Sequence, residues 1–361
     1  MANDRWPKGS LVVVLRIAER RAGVGSMWVF LGKRLLLVLL TLLGLTVVVF
    51  VVSHVTPGDP ARLAAGPDAS QEQIALIRTE FGLDRSLPVQ YAIYLKGVLQ
   101  GNFGRSIRTR RDVSDDIKVF LPATLELVFF TMGLAAVLGI LFGILAAAYR
   151  DTWLDHLLRL VSIGGVAVPM FWLALMLQLL VALKFNLLPS GGRLAIAMSP
   201  PTTITGFFLV DALLTGNWAA VGSALTHLVL PALVLSSPSL AAVTRMMRAD
   251  MLDTISREYV VNARANGLPE RLIVAKYVLK NALIPTVTLI GLRYGWMLGG
   301  TVLVETVFDW PGIGLYAVQS SVAADFMPVM AVTLVIGLNF ALANLVVDLL
   351  YGVLDPRVRY A

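Results

Sequence analysis

Cysteine is absent from this chain, and histidine occurs only three times. No disulfide framework, Cys-ligated metal or thiol nucleophile is therefore available. His54, His156 and His227 are scattered, without the short spacing that metal ligation needs. Charge is scarce too. Asp, Glu, Lys and Arg make up 15% of the residues, against about 25% in an average soluble domain. A usable phosphate loop is missing: Met27 stands where a P-loop before Gly32-Lys33 needs its first glycine, and Arg34 stands where Ser or Thr is needed. The run Gly312-Ile313-Gly314-Leu315-Tyr316-Ala317 has G-x-G-x-x-A spacing. It follows Trp310-Pro311 in a loop with no βαβ unit, so dinucleotide binding is excluded. No nucleophile–base pair is recognisable, which leaves hydrolytic chemistry without a candidate.

What fills the chain instead is apolar sequence. Apolar residues reach 57%, and the mean hydropathy is positive. A membrane span needs about 20 predominantly apolar residues. Six segments qualify: Leu35–Val55, Thr124–Ala148, Leu158–Phe185, Val221–Val243, Leu283–Val304 and Val329–Leu350. The expectation is an all-α membrane protein of about six transmembrane helices, in contact with lipid over most of its surface. The formal net charge of +7 follows from the bias of basic residues toward the cytoplasmic side, and it implies no nucleic acid partner.

Charge also orients the chain. Residues 1–34 hold seven basic and two acidic side chains, and the tail Asp355-Pro356-Arg357-Val358-Arg359 is net basic. Residues 305–328 carry Glu305, Asp309 and Asp325 and no Lys or Arg. Both termini are expected in the cytoplasm. The long loop of about 56–121 after the first span is expected outside. Residues 1–26 read as a basic cytoplasmic extension, and the first span reads as an uncleaved anchor. Ser70 is the expected N-cap of a helix in the outer loop.

One polar stretch interrupts this pattern. Residues 245–281 carry seven Lys/Arg against four Asp/Glu. Such a segment belongs in water, and its basic excess puts it inside. Met251, Leu252, Ile255, Tyr259 and Ala263 recur near four-residue spacing as one apolar helix face. Asn266-Gly267 offers a stop with positive φ, and Pro269 suits the first turn of a new helix. Two short helices joined by a tight corner are expected, lying roughly along the membrane surface.

The corner resembles the EAA loop of ABC-importer permeases. Ala263, Gly267, Ile284 and Pro285 fit that pattern, whereas Val261 and Asn262 depart from it. Ala263-Arg264-Ala265-Asn266-Gly267 matches the A-R-A-x-G form of the peptide-importer branch. Further blocks agree in order and spacing. They are Thr56-Pro57-Gly58-Asp59-Pro60, Phe81-Gly82-Leu83-Asp84, Gly101-Asn102-Phe103-Gly104-Arg105-Ser106 and Leu188-Pro189-Ser190-Gly191-Gly192. The Glu305–Gly314 run, ETVFDWPGIG, and the tail Leu354-Asp355-Pro356-Arg357 complete the set. Over residues 27–361 the chain resembles the B-type permease of dipeptide, oligopeptide and nickel ABC importers.

The resemblance implies a type I permease fold with cytoplasmic coupling helices and a large extracytoplasmic loop. It also implies a bacterial plasma membrane location and a heterodimer with a C-type permease. The other implied partners are two ABC ATPase subunits and an extracytoplasmic solute-binding protein that delivers the cargo. Peptides are the favoured cargo, with nickel chelates, glutathione and other small solutes carried by relatives. ATP and Mg would bind the ATPases, leaving this chain without a cofactor and without enzymatic activity. Arg257, Glu258, Tyr259, Ala263, Arg264, Ala265, Gly267 and Leu268 would form the ATPase-coupling loop.

Three intramembrane charges are the candidates for lining the translocation pathway: Arg293, Glu126 and Asp348. Each costs about 2.5–3.5 kcal/mol at a helix centre on insertion scales and needs a polar partner or water. For Glu126 and Asp348, near span ends, a structural ion pair or a snorkelling end residue is the favoured reading, and the pathway the alternative. Gly139 and Gly143, and Gly291, Gly295 and Gly299, follow four-residue spacing that lets helices approach closely, within the chain or between subunits. An ion-coupled secondary transporter is the rival from another class. It should show paired broken helices and mid-membrane coupling carboxylates, and these are wanting here.

Overall fold

The computed structural model describes residues 8–55, 62, 69–80 and 84–354, with side chains for 32–55, 62, 69–76, 78–79 and 84–349. The blocks 56–60, 81–83 and 355–357 lie outside the described residues, as do residues 1–7 and the side chains up to 31.

The described residues are helical throughout, apart from loops and one isolated bridge between Arg105 and Asp112. Helix α1 (Lys8–Val55) runs unbroken through the boundary at 26–27. Helix α2 (Gln71–Glu80) opens on a reciprocal capping box: the Gln73 N–H donates to Ser70 Oγ at 3.3 Å, and the Ser70 N–H donates to Gln73 Oε1 at 2.9 Å. Next come α3 (Leu87–Leu99) and the long α4 (Val113–Ala148). Helices α5 (Trp153–Ala167) and α6 (Met170–Leu177) follow, with a π-helical extension at Gln178–Lys184. A short α7 (Phe208–Leu214) precedes α8 (Trp218–Ile255), which Asn217 caps by accepting from the Ala220 N–H at 3.1 Å. Then come α9 (Glu258–Ala265) and α10 (Glu270–Leu272), whose π-helical continuation Ile273–Leu279 runs into α11 (Lys280–Val307). Helices α12 (Ile313–Val322) and α13 (Phe326–Leu354) close the order.

Five helices are long and apolar enough to cross a membrane, and a sixth span exists if α5 and α6 count as one. That pair corrects the expectation of a single span over Leu158–Phe185. The two helices meet at a 106° bend. Pro169 excludes helical backbone at the residue before it, and Val168 is extended at φ −83°, ψ 125°.

A second correction concerns residues 245–255. They were expected as the first short helix of the corner, but they are the last turns of α8. The run RMMRADMLDTI contains neither Gly nor Pro, so nothing stops the helix before Ser256. There the Ser256 and Arg257 N–H groups turn back to the carbonyls of Asp253 and Thr254. The helical phase is broken at that point. Val260, not Tyr259, therefore continues the buried face, and Tyr259 is exposed.

The spaced glycines serve packing inside the chain. A Cβ at Gly143 would lie 2.5 Å from Met247 Cβ, and one at Gly139 would lie 2.7 Å from Val243, so α4 presses against α8. Gly291 and Gly295 meet Val347 and Phe340 of α13, while Gly299 faces open space. One apolar core joins α4, α6, α8 and the end of α11 around Leu127, Leu228, Phe308 and Trp310. A second packs Met247 and Met251 of α8 beneath Val260, Ala263 and Ile273. Ala282 and Glu305 sit near opposite ends of α11, roughly 35 Å apart at about 1.5 Å per residue, so the two cores belong to opposite ends of the bundle.

Candidate functional site

At one end of the bundle the chain turns through a compact elbow, α9 to α10. Its geometry follows from Gly267. The Gly267 N–H donates to the Arg264 carbonyl at 3.0 Å, and the Leu268 N–H donates to the Ala263 carbonyl at 3.3 Å. These are the paired bonds of a Schellman C-cap, which needs a residue in the left-handed region after the helix. Gly267 supplies it at φ +75°. Ala263 is buried and Leu268 packs against the same cluster, so the corner closes over an apolar contact. Nothing lies within 4 Å of where a Gly267 Cβ would be, and the outer side of the corner is open.

The other loop residues divide by exposure. Arg257, Glu258, Tyr259, Arg264 and Ala265 are exposed. Arg264 forks onto Glu270 across the corner, with Nη2 to Oε1 at 2.5 Å and Nε to Oε2 at 3.1 Å. Arg257 pairs with Asp253 at 2.5 Å. Each carboxylate, through its hydrogen bond, holds its guanidinium above the ordinary value. The Tyr259 hydroxyl accepts from Asn281 at 3.2 Å. The elbow thus has a buried apolar underside on α4 and α8 and a charged, open outer side. A rigid corner with an unobstructed backbone is a surface that another protein can grip.

The opposite end of the bundle is a cap held by buried polar contacts. Glu126 is buried and bonded to Arg193, and it accepts from the Leu209 N–H at 2.7 Å. Arg193 also donates to the Gly206 carbonyl at 3.0 Å and lies 3.6 Å over the Phe208 ring. Burial draws this guanidinium below its ordinary value, against the pull of Glu126. Glu305 accepts from the Thr124 hydroxyl at 2.6 Å and from the Leu315 N–H at 3.0 Å, at the start of α12. The Gly312–Ala317 run is thus a helix start capped by the chain's own carboxylate. Asp116 accepts from Tyr316 at 2.9 Å, and Asp325 accepts from Ser106 at 2.7 Å. The Trp310 indole donates to the Ala123 carbonyl at 2.9 Å. The Gly101–Ser106 and Leu188–Gly192 blocks lie at this end, Ser106 through Asp325 and Gly192 through its N–H on the Phe308 carbonyl.

The three intramembrane candidates are not brought together. Glu126 belongs to the cap. Asp348 lies 3.1 Å from Arg34 and ties α13 to α1. Arg293 is half-buried and forms no hydrogen bond or ion pair with another described residue. Two pairs were not anticipated. Arg193 is the partner that reading Glu126 alone left unnamed, and it lies 67 residues away. Asp155 and Arg248, 93 residues apart, form a bidentate pair near the elbow, with the carboxylate buried and the guanidinium partly so. Arg193 sits in a loop, and Asp155 and Arg248 near helix ends, all in stretches that read as ordinary solvated sequence.

Residues 139–360 match the family model described as binding-protein-dependent transport system inner membrane component, and residues 27–128 match the N-terminal model of the same kind of protein. A probable D,D-dipeptide transport system permease protein of Escherichia coli (strain K12) is 46% identical over 92% of this chain and 98% of that protein. A dipeptide transport system permease protein of Alkalihalophilus pseudofirmus is 37% identical over 91% and 98%. A glutathione transport system permease protein of Salmonella typhimurium is 39% identical over the same shares. With five candidate spans, or six counting the bent pair, an all-α fold and these matches along nearly its whole length, the chain belongs to the binding-protein-dependent transport system inner membrane component family.

Proposed function

We propose that this chain is one of two permease subunits of an ATP-driven importer for di- or oligopeptides, and that the elbow is the dock for an ATPase subunit. The observation that carries the reading is the open Schellman corner at Gly267, set on a packed underside. In this reading a C-type permease pairs with the chain. Two ATPases bind ATP and Mg and grip the two elbows, and a solute-binding protein delivers cargo on the other side. The elbow and both termini face the cytoplasm of a bacterial cell. The basic excess of residues 245–281 supports that orientation. Peptide cargo is supported by the dipeptide names of the similar permeases. Glutathione, itself a small peptide, is the second reading, on the strength of the glutathione permeases at 38–39% identity.

Gly267 and Leu268 form the corner, and Arg257, Glu258, Tyr259, Arg264 and Ala265 the rim around it, with Ala263 as the buried foot. Replacing Gly267 with Asp puts a side chain and a charge on the docking surface and strains the backbone. Reconstituted with its partners, the Gly267→Asp complex should lose its ATPase on purification and lose peptide uptake. Normal uptake with substrate-stimulated hydrolysis would remove the elbow from the mechanism. Arg293 is the pathway residue of this proposal, because Glu126 and Asp348 are engaged by Arg193 and Arg34. Arg293→Leu should insert normally and alter uptake kinetics; unaltered kinetics would exclude a lining role.

A further inference from the structure

The elbow is joined to the bundle by two routes. One is α11, its own continuation. The other is the end of α8, which an ion pair unused above holds in place. Asp155, in the first turn of α5, is fully buried. Arg248, two turns before the end of α8, meets it as a fork, with Nε 2.8 Å from Oδ1 and Nη2 2.7 Å from Oδ2. Arg159 Nη2 and the Asp151 N–H, each 3.1 Å from Oδ2, complete the shell around the carboxylate. A planar guanidinium held at two points resists rotation and shear in a way that a single contact does not.

The pair lies between two structures that differ in kind. On one side, Arg248 adjoins Met247 and stands one turn from Met251, which together form the floor under Val260 and Ala263. On the other side, α5 leads to the 106° bend at Val168-Pro169. Beyond the bend, Ala174 and Ala182 are buried in the core that holds Trp310 at the cap. The fork thus connects the floor of the elbow to the one bent pair among the described residues that is apolar enough to be a broken membrane span, alongside the packing of Gly165 on Ser237 and Ala241. Buried ion pairs are often no more stabilising than apolar packing of the same volume; what this one supplies is a fixed geometry.

We propose that Asp155 and Arg248 are a strut that carries displacement of the elbow into the bent pair α5–α6, which makes both of them positioning residues of the transport step. The proposal rests on the elbow being the ATPase dock. When a partner moves the elbow, the end of α8 moves with it, the fork draws α5 along, and the bend takes up the change.

The test uses the complete complex in liposomes, with binding protein, ATP and a labelled dipeptide. The variants are Asp155→Asn, Arg248→Gln and the exchange of Asp155→Arg with Arg248→Asp. In the single variants the ATPase should stay bound and active while uptake falls at least tenfold, so that ATP consumed per peptide rises by the same factor. The exchange should recover at least threefold of that loss. An unchanged ratio in Asp155→Asn would overturn the proposal, as would uptake and hydrolysis falling in parallel without recovery in the exchange. Should the single variants fail to assemble, the native absence of cysteine offers another route. Asp155→Cys with Arg248→Cys, joined by a short bis-thiol linker, should regain uptake per ATP at least threefold over the unlinked form. A linked form no better than the unlinked one overturns the strut. Failure of the dock itself reads differently, because Gly267→Asp then keeps its ATPase whatever the strut variants do.

Discussion

The elbow and the cap occupy opposite ends of α4, α8 and α11, and they handle charge in opposite ways. On the outer side of the elbow the pairs are exposed and local, while the distant Asp155–Arg248 fork lies beneath: Arg257 meets Asp253 four residues away, and Arg264 meets Glu270 six residues away. At the cap they are buried and distant: Glu126 meets Arg193, Thr124 meets Glu305 across 181 residues, and Asp325 meets Ser106 across 219. Exposed local pairs open and close in water at little cost, whereas buried distant ones hold segments of the fold in register. The contrast separates a surface free to be reshaped by a partner from a frame tied together from within. The helices between them are then levers with one working end and one fixed end.

The largest effect that would break or sharpen this contrast is expected at Arg193. Arg193→Ala leaves the Glu126 carboxylate buried without its cation. Removing one member of a buried pair costs about 3–5 kcal/mol. Thermal unfolding of the purified subunit in detergent should show this as a large fall in Tm. The double variant Glu126→Leu with Arg193→Met removes both charges together and should recover much of the loss. A Tm unchanged by Arg193→Ala would mean that the cap is not a frame.

Asp211 should give the next effect, with a pH dependence of known sign. It is buried, and its carboxylate accepts from the N–H groups of Ile204, Thr205 and Gly206 at 3.2, 2.8 and 2.9 Å and from the Thr205 hydroxyl at 2.7 Å. Burial alone would raise this acid. The hydroxyl and N–H bonds outweigh burial and hold it below its ordinary value. Its contribution is therefore complete above the ordinary carboxylate range, and it is lost as pH falls through the lower folded value. Asp211→Ala should cost about 2 kcal/mol at neutral pH by orphaning those donors. Its Tm deficit should stay constant from about pH 5 to 8 and shrink in acid. A deficit that grows in acid would reverse the assignment.

Much of this contrast was visible in the sequence, but unevenly. Spans were legible because apolar length is a one-dimensional property, and the elbow was legible because Asn266-Gly267 and Pro269 write a stop and a start into consecutive residues. The span Leu158–Phe185 is legible as apolar length, but length alone does not show the 106° bend that Pro169 imposes through Val168. Tyr259 was placed on the apolar face because a period counted through Ser256 ignores the break there. The distant pairs were out of reach altogether. Nothing near Arg193 or Arg248 in the chain names a carboxylate 67 or 93 residues away, and only packing brings them together.

The smallest expected effect on stability is also the sharpest test of the comparison. The Arg264–Glu270 fork looks strong by geometry alone, with two short bonds spanning the Gly267 corner. Both side chains are exposed, at 48% and 55%, so water and salt screen them. Arg264→Ala should therefore leave Tm unchanged within error. Its effect should fall on the assembled importer instead, as a severalfold loss of uptake that narrows as salt is raised and the native contact is screened in turn. A group that stabilises nothing in the isolated subunit yet limits the complex must act on a neighbour. If Arg264→Ala instead lowered Tm as far as Arg193→Ala, the elbow would be a frame as well. The distinction between a gripped end and a fixed end would then have to be given up.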